Sequence, residues 1–387
     1  MKIVRFETFL ANAGLRNYLF IRLTTDNGLT GIGEATLEWQ EKTVQTLCHE
    51  WVEERVLGRD PFNIEAVIGG MLRDQYQGGP TVLSAISGVE VAMWDLIGKA
   101  CGQPVYRLLG GAVQARLPAY ANGWYGGAVT PQDYAERARE VVARGYRAMK
   151  FDPFGVAWKE LSDDEMEAAI ERVAAVRSAI GPHDGLIIEF HGRLSAGCAV
   201  QAIHRLSRFQ PTWCEEPVAP ESLDLLQWVK QQVDVPIAAG ERLYTLADFN
   251  RLCTLRAADI VQMDIAHCGG LWTSKKIAAL AAVQDLRLSP HCSIGPVALA
   301  ACLHFDCSTP NFMIQEDFTE FDVPWRNSLV RGWNPIQHGK FVLKDTPGLG
   351  LELDDQVIAN HPYVKNAFPS LWDGEWLTNF TQDHPDD

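Results

Sequence analysis

The apolar positions of the chain follow different patterns before and after about residue 120. Residues 19–35 are expected to form strand, turn and strand, because Asp26-Asn27-Gly28 supplies the positive φ angles that a tight hairpin requires. In residues 84–104 the apolar side chains recur at three- and four-residue steps until Gly102 and Pro104, which predicts a helix. The opening region is therefore expected to be an α+β unit.

Beyond that point, short apolar runs alternate with amphipathic stretches. Segment 130–145 has Thr130 as a predicted N-cap, Pro131 at the first helical position and Gly145 at its end. A second helix is predicted at 163–181, and at least seven short strands fit into about 200 residues. Repeated β–α units with buried strands indicate a parallel sheet. Periodicity alone does not separate an open sheet from a closed barrel, but the number of strands favours the barrel.

The predicted strands share one feature, which is a titratable residue at their ends. These residues are Lys150, Glu189, Glu215, Glu241, Asp264, His291 and Glu316, and from Glu189 onwards they are 23–27 positions apart. In a parallel barrel the carboxyl ends of all strands meet at one mouth, where active sites lie. Five carboxylates gathered there would raise one another's pKa values unless a cation neutralised them.

Three of these carboxylates form a candidate metal site. Glu189, Glu215 and Glu241 lie on three consecutive predicted strands. Oxygen ligands on rigid strands suit Mg²⁺, which keeps coordination positions open for a substrate. The thiolates and imidazoles that zinc prefers are not in this set.

The other members of the series suit acid–base chemistry. Asp264 and His291 lie on the next two strands, and a carboxylate beside an imidazole makes a general base that works near neutral pH. His191 follows Glu189 by two positions, so strand alternation is expected to direct it into the mouth as well. A metal ion, a general base and a positively charged side chain at one site suit the removal of a proton from the carbon next to a carboxylate. A divalent metal ion stabilises the resulting enediolate by several kcal/mol.

Composition and charge exclude several classes of protein. The chain has 387 residues and a net charge of −15, from 34 Lys and Arg against 49 Asp and Glu, so neither nucleic acid nor an anionic membrane is an expected partner. Apolar runs such as 278–283 are too short to span a bilayer, and no signal peptide is expected from the short, broken apolar stretch among the first residues. Nine cysteines without a CxxC spacing suit reduced thiols in a cytoplasmic protein.

The ordered series of motifs resembles the enolase superfamily, and within it the mandelate racemase and sugar-acid dehydratase branch. The motifs that carry the resemblance are GIGEA (31–35), AMWDLIGKACGQPVYRLLGG (92–111), WCEEP (213–217), SPHCSIGPVALAACLHFD (289–306) and PGLGLELDD (347–355). EFHGR (189–193) and AAGER (238–242) are similar to galactonate dehydratases, and AMKFDPFG (148–155) is more similar to gluconate dehydratases.

The resemblance implies a two-domain fold. It is an α/β TIM-type barrel in a modified (β/α)7β form, with an α+β capping domain. Residues 1–120 would form the capping domain, 121–330 the catalytic barrel, and 331–387 a segment that returns to the capping domain. Loops near residues 12–18 and in the forties to fifties would contact the substrate, and the protein would form a homo-oligomer.

The resemblance also implies roles for the residues of the site. The Mg²⁺ ligands would be Glu189, Glu215 and Glu241. The base would be His291 with Asp264, and the general acid would be His191. Lys150 and Glu316 would act on the substrate carboxylate. The family's second lysine is replaced by Asp152, so a two-base racemase of the Lys/His type is not expected. Candidate substrate-binding residues are Asp152, Arg193, Arg242, Asn122 and Trp124.

One base and one acid imply β-elimination of water. The predicted function is Mg²⁺-dependent dehydration of an aldonic acid of gluconate or galactonate type, giving a 2-keto-3-deoxy acid. A cycloisomerase or epimerase of a sugar acid or lactone is the alternative on the same fold. Twelve tryptophans and paired carboxylates leave a barrel glycosidase as a more distant alternative, and a non-catalytic relative is a third.

Overall fold

The N-terminal region forms a three-stranded antiparallel sheet in the computed structural model, which describes residues 1–14, 16–76, 78–333 and 336–365. The strands are β1 (Ile3–Ala13), β2 (Arg16–Thr25) and β3 (Thr30–Glu34), and they pair in chain order. Gly28 lies in the turn between β2 and β3 with φ of 85°, a conformation that glycine adopts without steric cost. The predicted hairpin is therefore confirmed.

Four helices follow this sheet, with a π-helical turn (Cys48–Val52) after the first. They are α1 (Glu41–Leu47), α2 (Glu53–Val56), α3 (Ile64–Asp74) and α4 (Pro80–Cys101). Helix α4 packs against β2 and β3 and ends at Gly102, as the sequence pattern predicts. It is long and apolar enough to cross a membrane, but 83% of its most apolar window is buried within the protein. This burial identifies α4 as a core helix.

Eight parallel strands form the second domain. A short helix α5 (Val105–Leu108) leads into this domain. The strands are β4 (Arg116–Ala121), β5 (Ala148–Phe151), β6 (Gly185–Glu189), β7 (Trp213–Glu215), β8 (Ile237–Ala239), β9 (Ile260–Val261), β10 (Arg287–Leu288) and β11 (Gln315–Asp317). Each pairs with the next from β4 to β10, β11 pairs with β4, and a bridge from Leu288 to Phe312 closes the ring.

One helix follows each strand from β4 to β10, which is the expected (β/α)7β order. These helices are α6 (Pro131–Ala143), α7 (Asp163–Ile180), α8 (Ala196–Leu206), α9 (Leu223–Gln232), α10 (Leu246–Leu255), α11 (Gly270–Val283) and α12 (Pro296–Cys307). Capping boxes at Thr130, Ser162 and Thr245 begin α6, α7 and α10. Within the described residues a short 3₁₀-helix joins α8 to β7 (Ser207–Phe209), and another (Arg326–Leu329) follows β11.

The C-terminal segment contacts both domains. Strand β12 (Val330–Arg331) pairs with β14 (Glu352–Leu353), while β13 (Lys340–Val342) pairs with barrel strand β4. Helix α13 (Asp355–Asn360) lies against β1, where the Asn12 N–H donates to the His361 carbonyl (2.8 Å). Residues 366–387 of the predicted C-terminal segment lie outside the described residues.

Two carboxylates of the capping domain cap two barrel helices. Glu34, at the end of β3, accepts the N–H groups at the start of α12, among them those of Gly295 (2.7 Å) and Ala298 (3.0 Å). Glu90 on α4 accepts those of Leu271 and Trp272 at the start of α11, both at 2.8 Å. These N–H groups have no partner within their own helix. The capping domain is thereby held against the helices that follow β9 and β10.

The nine cysteines are all free, and eight of them are buried. This agrees with the prediction of reduced thiols that pack as small apolar side chains.

Candidate active site

Three glutamates converge at the carboxyl ends of adjacent strands. Glu189 and Glu215 are the last residues of β6 and β7 and lie side by side in the sheet, while Glu241 follows β8 by two positions. One carboxylate oxygen from each lies within 4.8 Å of the other two. The parallel strands therefore bring together the three residues that the sequence placed at one mouth.

These glutamates fit a divalent cation. Glu189 Oε2 is buried and accepts no hydrogen bond within the described part of the chain, although Lys150 Nζ lies 3.2 Å away. Burial, and then the neighbouring Glu189 carboxylate, raise the pKa of Glu215 to about 7. Oxygens around Mg²⁺ lie about 3–4 Å apart for bonds of about 2.0–2.1 Å. A small closure of the observed cluster would meet that geometry.

Lys150 supplies positive charge beside this cluster. Its ammonium contacts Glu215 Oε1 and lies 2.9 Å from Glu316 Oε1. Burial alone would raise the pKa of Glu316, but Lys150 and His291 lower it to about 2. Glu316 is therefore a carboxylate at neutral pH, held between a lysine and the candidate base.

The predicted base has its carboxylate partner. His291 Nδ1 lies 2.7 Å from Asp264 Oδ2, and the Ala266 N–H donates to Asp264 Oδ1 (2.7 Å). Nε2 of His291 lies 3.6 Å from Glu241 and 3.8 Å from Glu316, and these two carboxylates raise its pKa although burial opposes them. Since Glu241 is a candidate metal ligand, a cation on the cluster would offset this effect.

His191 has a carboxylate partner of its own. Its Nδ1 lies 2.8 Å from Asp152 Oδ2, and Asp152 Oδ1 contacts the Arg193 guanidinium. The structure corrects how the sequence placed His191: it lies beyond β6 in a left-handed turn with φ of 50°, so strand alternation does not direct it. Gly192 follows with φ of 65°, and a Cβ there would collide with the Arg242 guanidinium.

A cavity of about 280 Å³ lies between the two domains at this mouth. Among its lining residues are Arg16, Glu38 and Trp39 from the capping domain. The barrel contributes Asn122, Tyr125, Lys150, His191, Glu241, Arg242, Tyr244, His267, His291, Ser293 and Phe318. A larger neighbouring cleft of about 710 Å³ shares Arg16, Gly123 and Phe318 but is lined by none of the three candidate ligands. The chemistry is therefore assigned to the smaller cavity.

The five expected substrate-binding residues do not all reach this cavity. Asn122 lines it and donates to Glu316 Oε1 (2.8 Å), and Arg242 lines it while paired with Glu216. Trp124 lines the larger cleft and donates to the Lys150 carbonyl (2.8 Å). Arg193 is fully buried, and Asp152 is buried behind His191. Contact with a substrate hydroxyl therefore suits Asn122 and Arg242 better than the other three residues.

His267 is not among the predicted site residues, but the structure places it in the lining of the cavity. Its Nδ1 lies 2.8 Å from Ser84 Oγ on α4, and its Nε2 lies 3.7 Å from Asp264 Oδ2. Ser84 gives its own hydrogen to the Pro80 carbonyl (2.7 Å), so His267 is the donor to Ser84. In the sequence, its position three residues after Asp264 could have indicated that His267 lies near the site.

Two family models match the chain. The model described as mandelate racemase / muconate lactonizing enzyme, N-terminal domain, matches residues 6–110. The model described as enolase C-terminal domain-like matches residues 133–357, which is more than half of the chain. The chain belongs to the mandelate racemase/muconate lactonizing enzyme family of the enolase superfamily. The resemblance drawn from the motifs is confirmed, and the barrel with its capping domain is the fold expected of this family.

Curated relatives of this family member are named dehydratases. It is 38% identical to the D-gluconate/D-galactonate dehydratase of Picrophilus torridus over 88% of this chain and 87% of that one. It is 35% identical to the D-galactonate dehydratase of Ralstonia pickettii, over 92% and 94% of the two chains. Dehydratases are lyases, so the predicted enzyme class is the class of these relatives.

Solved structures of the family share the whole fold. The mandelate racemase/muconate lactonizing enzyme of Jannaschia sp. CCS1 superposes with a TM-score of 0.88 at 32% identity, covering 95% of this chain and 99% of that chain. The enzyme of Sulfitobacter sp. gives a TM-score of 0.88 at 30% identity, with coverages of 95% and 97%.

Proposed function

We propose that the protein is a Mg²⁺-dependent dehydratase of a sugar acid of gluconate or galactonate type. The observation that carries this proposal is the pair of cavity-lining histidines, His191 and His291, each backed by an aspartate, with the three-glutamate cluster beside them. An acid and a base in one cavity suit the removal of a proton and a hydroxyl from neighbouring carbons. The names of the curated relatives support the same reaction.

Glu189, Glu215 and Glu241 would hold the cation. When bound, Mg²⁺ supplies Lewis-acid stabilisation of the negative charge that develops on the substrate carboxylate. Lys150, already among the carboxylates, adds a positive charge and a hydrogen-bond donor at the same place. Glu316 is aligned by Asn122 and by the Cys292 N–H (2.8 Å).

His291 would remove the proton from C2 of the acid. Asp264 accepts from its Nδ1, which leaves Nε2 with the lone pair that takes the proton. The C2–H bond breaks and its electrons move into the enediolate. His191 then gives a proton to the 3-hydroxyl, the C3–O bond breaks and water leaves. The enol product becomes a 2-keto-3-deoxy acid by tautomerisation in solution.

A screen of aldonic acids with Mg²⁺ tests this proposal. We expect a 2-keto-3-deoxy acid from at least one acid of gluconate or galactonate configuration, and loss of product after treatment with EDTA. An isomer released without water would instead support the cycloisomerase or epimerase alternative. Activity on glycosides that survives EDTA would support the glycosidase alternative. A homo-oligomer and a cytoplasmic location stay predictions.

A further inference from the structure

The mouth of the barrel contains two Asp–His pairs built in the same way. In each pair an aspartate follows one strand and its histidine follows the next: Asp152 and His191 follow β5 and β6, and Asp264 and His291 follow β9 and β10. In a ring of eight strands, a step of four strands is half a turn. The two pairs therefore face each other across the mouth.

The local contacts of the two aspartates also match. In both, one oxygen faces Nδ1 of the histidine, at 2.8 Å for Asp152 and 2.7 Å for Asp264. The other oxygen accepts the backbone N–H two residues later, from Phe154 (2.9 Å) and from Ala266 (2.7 Å). Asp152 is further held by the buried guanidinium of Arg193. Each aspartate is thus fixed by its own loop and faces its histidine.

Both oxygens of Asp152 are therefore engaged by protein donors. The carboxylate can only accept hydrogen bonds, so the hydrogen between it and His191 belongs to Nδ1. Nε2 of His191 is the other ring nitrogen and lies on the side of the ring that faces away from Asp152. His191 lines the cavity and Asp152 does not.

We infer that Asp152 is a positioning residue for His191, which fixes the hydrogen on Nδ1 and directs Nε2 to the 3-hydroxyl of the substrate. The role first expected for Asp152, binding of a substrate hydroxyl, is replaced by this one. The inference rests on the proposed dehydration, because it assigns the residue that orients the acid of that reaction. An Asp152–Arg193 ion pair with only a structural role is the competing explanation.

Asp152→Asn separates the two explanations. The amide can keep the contacts of Oδ1, but its NH2 group can donate to Nδ1, which leaves the ring with a single hydrogen, on Nε2. Release of that hydrogen to the 3-hydroxyl would leave an imidazolate, whereas a ring that keeps its hydrogen on Nδ1 becomes a neutral imidazole. We expect kcat for elimination to fall by about 10²-fold or more, with KM within about twofold of the wild-type value. Exchange of the C2 hydrogen with D2O is expected to continue, because His291 alone removes and returns that hydrogen.

The ratio of exchange to elimination therefore rises if Asp152 acts through His191. Equal loss of exchange and elimination, or loss of neither, overturns the inference. Asp184→Asn is the matched control, because Asp184 is also a buried aspartate paired with an arginine (Arg147, 2.8 Å) but lies at the other end of β6. We expect its exchange and elimination rates to stay close to those of the wild type.

A second measurement uses the unaltered protein. The ¹⁵N chemical shifts of His191, assigned by comparison with His191→Asn, report which ring nitrogen carries hydrogen. We expect a protonated Nδ1, and an unprotonated Nδ1 overturns the inference even if Asp152→Asn does not fold. If the wild type makes no 2-keto acid from any aldonic acid, the proposed function fails, while the nitrogen assignment still decides the Asp152–His191 arrangement.

Discussion

His304 makes the stability of the protein dependent on pH in the slightly acidic range. It is fully buried on α12, where its Nδ1 accepts the Tyr106 N–H (3.1 Å) and its Nε2 donates to the Leu349 carbonyl (3.2 Å). Both contacts suit the neutral ring. Burial lowers the pKa of His304 from 6.5 to about 4, with partial compensation from the Leu349 carbonyl. Between about pH 4 and pH 6.5, His304 is therefore neutral in the folded protein and protonated in the unfolded chain.

The sign and size of the effect follow from this difference. The contribution of neutral His304 is fully present above about pH 6.5 and is lost as the pH falls towards 4. A difference of about 2.5 pKa units corresponds to about 3 kcal/mol in total, of which about 2 kcal/mol is lost by pH 5. We expect urea unfolding between pH 7 and pH 5 to show this loss in the wild type and not in His304→Gln.

His183→Gln is the control, because His183 is exposed. It should keep the pH dependence of the wild type. Identical pH dependence of the free energy of unfolding in wild type and His304→Gln would refute the reasoning.

Three further predictions concern the metal cluster, the domain junction and the base. Glu215→Gln should weaken Mg²⁺ binding at least tenfold in calorimetric titration. Glu216→Gln changes the neighbouring residue, which is paired with Arg242, and should leave the affinity for Mg²⁺ unchanged. Equal affinities of the two variants would contradict the ligand assignment. Glu34→Gln should lower the free energy of unfolding by about 1–2 kcal/mol, because it weakens the cap of α12. Glu54→Gln, at an exposed position, should leave the free energy of unfolding unchanged. An unchanged value in Glu34→Gln would show that the cap does not stabilise the fold. Ser84→Ala should reduce kcat about three- to tenfold by releasing His267 from α4. Thr46→Ala, which removes a comparable hydroxyl–carbonyl bond at an exposed position of α1, should leave kcat unchanged. An unchanged kcat in Ser84→Ala would show that His267 does not contribute to catalysis.

The strand-end residues could be predicted because, in a parallel barrel, residues that are one β–α unit apart in the sequence lie at the ends of neighbouring strands. Glu189 and Glu215 end their strands and lie side by side, so their regular spacing was enough to place them together. The pairing of His291 with Asp264 followed from the same pitch. These features depend on local pattern and on one general property of the fold.

Features that depend on loop conformation could not be predicted in this way. His191 was found for the wrong geometric reason, since a left-handed turn and not the strand directs it. His267 lies three residues after Asp264, but its contact with Ser84 on a distant helix cannot be seen in the spacing of the chain. Arg193 follows the same turn but is fully buried by its pairing with Asp152. Such contacts arise only when the two domains and the loops are in place.

The most direct test of the proposed function compares product formation by the wild type, His291→Asn and His191→Asn with Mg²⁺ and the best aldonic acid. We expect the wild type to form a 2-keto-3-deoxy acid and both variants to lose at least about 10²-fold in kcat, as the removal of a general base or acid requires. Full dehydration by His191→Asn, with activity lost in His291→Asn, would contradict the assignment of His191 as the acid that releases water.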